Sequence, residues 1–175
     1  METGDLQALA ENIARSEKEK ARKYENITKQ AADFFNKGHI QKFIDLYNKN
    51  FTSVHDRVEA LSIFWGNISE KEHYETEYRL KFREKILKAN DNDFVYLMDC
   101  GLFLSGAVSP NEFIQSIEEG TEKQIPLAYV IKSFFFKYGL GDYEQSKQAI
   151  EKAILLEPQN LEYKQLLQEI EYFLC

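Results

Sequence analysis

The chain is poor in the residues that build turns, staples and metal cages. With only 3 Pro and 8 Gly in 175 residues, it lacks the punctuation of a many-stranded sandwich or barrel. Its two cysteines, Cys100 and Cys175, make no disulfide framework. Cys100 lies in an apolar run and reads as a buried thiol acting as a small hydrophobe. Cys175 is not four from the end, as a prenylated cysteine must be. The three histidines, His39, His55 and His73, have no partners at metal spacing. His73 and Glu77 share a helix face, but two residues do not build a zinc site. There is no Gly-rich phosphate loop, no nucleophile elbow and no Cys–His signature. Neither a catalytic residue nor a cofactor is therefore expected, and Cys100 as a nucleophile would need an activating base.

Long apolar runs are missing too. The longest, "FVYLMDCGLFLSGAV" (94–108), carries Asp99 and falls short of the ~20 residues that a membrane span needs. It reads as a buried helix. The opening stretch has neither the apolar core of a signal peptide nor a glycine for myristoylation. Without an export signal the sequons at Asn26, Asn50 and Asn67 carry no weight, and the expected location is cytoplasmic. Nor is there an excess of positive charge. The net charge is −7, with 16 Lys and Arg against 15 Asp and Glu over 1–90, and 6 against 14 over 91–175. That second half disfavours nucleic acid, which needs a basic footprint. The tract 14–30 alternates signs and reads as a solvated helix face with pairs such as Glu19–Lys23.

What is present is helical. Apolar residues make up 43% and aromatics 14% of the chain, enough to bury a core as one domain. A long helix is expected from an Asp5 cap to about Lys37, stopped by Gly38. A second follows at once, with Ile40, Phe43, Ile44 and Tyr47 on one face. Ser53 caps 54–65, where Val54, Val58, Leu61 and Trp65 recur. Ser69 and Glu72 form a capping box for a helix to about Ala89, with Tyr74, Tyr78, Phe82 and Ile86 as its stripe. The helix 92–106 is apolar nearly all round and therefore central. Ser109, Pro110 and Glu112 open a helix to Glu119, stopped by Gly120. Pro126 opens 126–138, Asp142 caps 143–156, and a last helix at 159–174 turns Leu161, Leu166, Leu167, Ile170 and Phe173 inward.

A period runs through these hairpins. Gly38 and Gly141 stand 103 residues apart, three steps of about 34 with one residue to spare in "YGLGD", and Gly106 falls on an intermediate step. Around the glycines, "AADFFNKGHIQKFIDLY" and "SFFFKYGLGDYEQSKQAIEKAILLEP" share a small residue (Ala31, Ser133), an aromatic (Phe34, Phe136), the turn glycine and a large apolar residue beyond. Alanines and Pro158 complete the second unit. These residues resemble the tetratricopeptide repeat family, most clearly at 127–158 and 26–50. The copies at 53–89 and 92–121 are inferred from period and helix pairing.

The resemblance implies an all-α fold: antiparallel helical hairpins stacked as a short right-handed superhelix within a single domain, 1–175. Residues 1–25 are an N-terminal helical extension, 26–158 hold about four hairpins, and 159–175 form a capping helix. Ala31 and Ser133 would let paired helices approach while Phe34 and Phe136 fill the gap. Such stacks bind a peptide or helix of a partner protein in a concave groove lined by the first helix of each pair. The candidates are Lys29, Gln30 and Asp33 in the first copy and Tyr129, Lys132, Phe135 and Lys137 in the last. Phe134–Phe136 as a group also read as core. The functional expectation is a non-enzymatic adaptor. Two alternatives stand beside it: a cytoplasmic secretion chaperone of the small repeat class, and an acidic immunity or inhibitor protein. The long N-terminal helix is a candidate homodimer contact, although its mixed charges show no clear heptad seam.

Overall fold

Helical apolar stripes separated by short breaks give nine α-helices among the described residues, which are 3–69, 76–89 and 93–174 of the computed structural model. They are α1 (Thr3–Asn36), α2 (Ile40–Asn50), α3 (Val54–Ser69), α4 (Thr76–Leu87) and α5 (Phe94–Leu104). α6 (Pro110–Glu122), α7 (Pro126–Phe134), α8 (Tyr143–Leu156) and α9 (Leu161–Tyr172) follow, with a π-helical turn at Phe135–Leu140 between α7 and α8. The described residues contain no strand, and the fold is all-α and built like a helical repeat.

The expected stops and caps mostly hold. Ser53 accepts from the Asp56 amide at 3.0 Å and Asp142 from the Gln145 amide at 2.9 Å. Ser109 and Glu112 close a reciprocal capping box. Gly38, Gly106 and Gly141, the glycines that mark the period, adopt left-handed φ values of 68°, 76° and 66°. At Gly38 the amide returns to Phe35 O at 3.0 Å and the His39 amide to Phe34 O at 2.8 Å. The same pair of bonds recurs at Gly106 and Ala107, to Phe103 O and Leu102 O. A left-handed residue is what lets two amides fold back on the last carbonyls, and glycine adopts it without a Cβ clash. The residue to spare ahead of Gly141 is taken up by the π turn, where i→i−5 bonds accommodate one more residue than an α-helix would.

Several expectations are corrected. α1 is already helical at Thr3, so Asp5 lies inside its first turn rather than capping it. α3 runs on to Ser69, beyond the expected end at 65. Gly120 does not stop α6, which continues through it to Glu122. α7 ends at Phe134, and its last turn is π, so 126–138 is not one α-helix. α9 starts one residue after an Asn160 cap, and its inner face is Tyr163 and Ile170 with the half-buried Leu166 and Leu167, whereas Leu161 and Phe173 are exposed. Glu19 pairs with Arg15 at 3.4 Å, while Lys23 reaches Asn50 O at 2.6 Å. Glu72, His73, Tyr74 and Cys175 lie outside the described residues, as does the side chain of Tyr78.

α1, α3, α5 and α7 pack on one another in succession as an inner layer. α2 packs on α1, α6 on α5, and α8 on α7, and α2 also touches α4. Phe35, Phe43, Phe64, Trp65 and Phe82 interlock at the centre, with Phe35 and Phe82 ring centroids 4.5 Å apart. Phe35 and not Phe34 fills this space, and at the other end Phe134 and not Phe136 is the buried member. Each such fully buried side chain contributes about 1.5–3 kcal/mol. Ala31 is buried, and Ser133 and Ser146 share a buried hydroxyl contact of 2.8 Å where α7 meets α8, so the small residues do permit close approach. α5 is buried along Phe94–Leu102, as its composition required. α9 packs on α8, and its Glu162 accepts the Val54 amide at 2.5 Å, tying the last helix back to the start of α3.

Candidate partner-binding groove

The inner layer leaves two openings on its free side. Between α1 and α3 runs a furrow of about 660 Å³, with Tyr24, Thr28 and Ala32 on one wall and Glu59, Ile63 and Asn67 on the other. Between α3, α5, α6, α7 and the π turn lies a cleft of about 370 Å³. Its floor is Val58, Cys100, Phe103, Phe113 and Phe134, and its rim is His55, Glu59, Ser62, Phe135 and Tyr138. Glu59 lines both openings and makes them neighbours. The spacing of His55, Glu59 and Ser62 puts them on the flank of α3 beside its buried stripe of Val54, Val58, Leu61 and Trp65.

Glu59 is held by two hydrogen bonds, from Lys20 Nζ at 3.0 Å and from the Tyr24 hydroxyl at 2.8 Å. Burial alone would raise its pKa, but these bonds keep the carboxyl below its usual range and ionised. Burial also pushes the Cys100 thiol up to about 12, with Asp99 adding to the shift, so the sulfur in the cleft floor stays protonated. Phe135 packs against Phe103 and Phe113 at 6.0 and 5.8 Å, and Tyr138 leans on Phe134 and His55 at 5.8 and 6.3 Å. Among the described residues no Lys or Arg lines the cleft.

Of the sequence candidates, Lys29 lines the furrow and Phe135 the cleft. The structure separates the others from these openings. Gln30 and Asp33 are exposed on α1 and line neither opening, and Asp33 pairs with Lys37 at 2.7 Å. The Tyr129 hydroxyl donates to Thr121 O at 2.9 Å, tying α7 to the end of α6. Lys132 is half-buried. Lys137 is turned toward α9, its side chain 8% exposed, 3.4 Å from Glu169 and over the rings of Tyr138 and Phe173. The repeat pattern singles out none of His55, Glu59, Ser62, Phe103 and Tyr138: the first four fall in the copies inferred only from period, and Tyr138 reaches the cleft through the π turn. The helical flank of α3 was the signal that could have found three of them.

A second polar cluster lies apart from the groove. Arg83 of α4 reaches Asp99 at 3.0 Å and Glu119 at 3.5 Å, and the Ser116 hydroxyl donates to Asp99. Among the described residues no three His, Cys, Asp or Glu side chains gather as a metal ligand set, and no helix is long and apolar enough to cross a membrane. No protein-family model, curated protein or solved structure matches the chain.

Proposed function

We propose that this chain is a non-enzymatic adaptor of the tetratricopeptide type, which holds a peptide or helix of a partner protein against α1, α3, α5 and α7. The observation that carries the reading is the apolar cleft, lined by α3, α5, α6, α7 and the π turn, which shares Glu59 with the furrow between α1 and α3. Half-buried Phe135 and exposed Leu104 and Tyr138 give that face apolar contact area that the fold itself leaves uncovered. The left-handed glycines at Gly38, Gly106 and Gly141 support the repeat, since they terminate first helices at the spacing the family uses.

The test is a photo-crosslinking residue placed at Ser62 in the cleft and, as control, at the exposed Gln148 of α8, in cells producing the full chain. The expected outcome is a discrete protein adduct from position 62 that position 148 does not give. Identical adduct patterns from both positions, or none from 62, would remove the groove as the binding face.

A further inference from the structure

We infer that α9 gates the cleft: docked, it holds together His55 and Tyr138 at one end, and released, it lets them part. His55 belongs to the first turn of α3 and Tyr138 to the π turn, and their ring centroids stand 6.3 Å apart. Both residues line the cleft and also an adjoining opening of about 290 Å³. α9 walls that second opening with Glu162, Gln165, Leu166 and Glu169. It also takes hold of the residue before each rim residue. Glu162 accepts the Val54 amide at 2.5 Å. Lys137 lies 3.4 Å from Glu169, its side chain 8% exposed and over the Phe173 ring. Val54 opens α3, so the Glu162 carboxylate satisfies one of the free amides there and meets the positive end of the helix dipole.

The attachment of α9 itself is light. Of its 12 residues Tyr163 and Ile170 are buried, against nine of the 11 in α5. Leu166 and Leu167 are half-buried, while Leu161, Tyr172 and Phe173 are exposed. A terminal helix with few buried apolar side chains opens at lower free energy than the body of its domain. Opening breaks the ties to Val54 and Lys137, and the rim pair loses what fixes it. The cleft then joins the adjoining opening, and Cys100 in its floor becomes reachable. The gate is the control on the groove of the adaptor reading. It rests on that reading for what it admits and on the fold for its action.

Cys175→Ser leaves Cys100 as the one thiol of the full chain, so its rate of modification by N-ethylmaleimide reads the opening. In that background Glu162→Ala should raise the rate about tenfold or more, since a bond to a charged group is lost and labelling follows the open population. Glu162→Gln keeps an acceptor for the Val54 amide and should stay within about twofold of the parent. The rates should be flat in urea below the unfolding transition, because a local opening exposes little surface. Should Glu162→Ala not melt cooperatively, Glu169→Ala, altered at an exposed position, decides instead by a rise of about threefold or more. Unchanged labelling in a folded variant, or labelling that climbs with urea from the start, would overturn the gate. The photo-crosslinker at Ser62 separates the two readings. Its adduct yield should rise in Glu162→Ala, and faster labelling with an unchanged yield would overturn the gate as a control on binding. Faster labelling with no adduct in either chain would overturn the adaptor reading and leave the gate standing.

Discussion

Gly120 of α6 presses against Tyr96 of α5 with no room for a side chain. A Cβ built on it would stand 2.6 Å from Tyr96 Cε1 and 2.5 Å from the Ala128 Cβ of α7. One glycine thus sets the approach of three helices. Gly120→Ala gains about 1 kcal/mol of helix propensity but must push an aromatic ring and a neighbouring helix aside. The expected net loss is about 1–3 kcal/mol, the usual cost of overpacking. Urea unfolding checks it: the midpoint falls with an unchanged slope, and a midpoint at or above that of the parent chain would refute the close contact.

Gln124 performs the task that glycine performs at the other turns. Its φ is 56°, its amide returns to Thr121 O at 3.1 Å, and the Ile125 amide returns to Gly120 O at 3.0 Å. A side chain in the left-handed region costs about 1 kcal/mol, so Gln124→Gly is expected to stabilise by about that amount, less the added freedom of the unfolded chain. Gly106→Ala, at φ 76°, should lose a similar amount. Thermal melts of both variants decide it, and shifts in the same direction would contradict the turn geometry.

Arg83 and Asp99 form a largely buried pair, with side chains 22% and 10% exposed. Removing the cation leaves the largely buried Asp99 charge without its arginine. Arg83→Met should therefore cost about 2–4 kcal/mol, while Arg83→Met with Asp99→Leu recovers much of the loss. A double-mutant cycle measures the coupling, and additive losses would show that the pair does not act as a unit.

The Glu59 carboxyl has a folded pKa below its usual value because Lys20 and Tyr24 hold the charged form against the cost of burial. Glu119 is shifted the same way, first by the hydrogen bond from Lys123. A depressed carboxyl contributes stability that is present above its unfolded pKa of about 4.3 and lost as pH falls through the folded value. Melting temperature should therefore drop between about pH 5 and pH 3. Glu59→Gln should melt lower at neutral pH and show a shallower drop. An equally steep drop in that variant would rule Glu59 out as a contributor.

Much of this was legible because its causes are local in sequence. The caps at Ser53, Ser109 and Asp142, the stop at Gly38, and the buried α5 depend on residues within a turn or two of one another. The candidate openings were less legible. Lys29 and Phe135 line them, whereas the contacts of Asp33, Tyr129 and Lys137 are with Lys37, Thr121 and Glu169, partners that come from packing and not from position within a copy.

The sequence by itself therefore determined that the chain is helical and where most of its hairpins turn. These follow from backbone sterics, capping and helical periodicity, which act over a few residues. Only the tertiary structure decided that Phe35 is core and Phe34 rim, that Gly120 is a contact and not a stop, that Arg83 answers Asp99, and that the π turn Phe135–Leu140 lines the cleft. Neighbouring residues on a helix differ by about 100° in direction, so which of two adjacent aromatics turns inward depends on the helix crossing it. That helix comes from elsewhere in the chain.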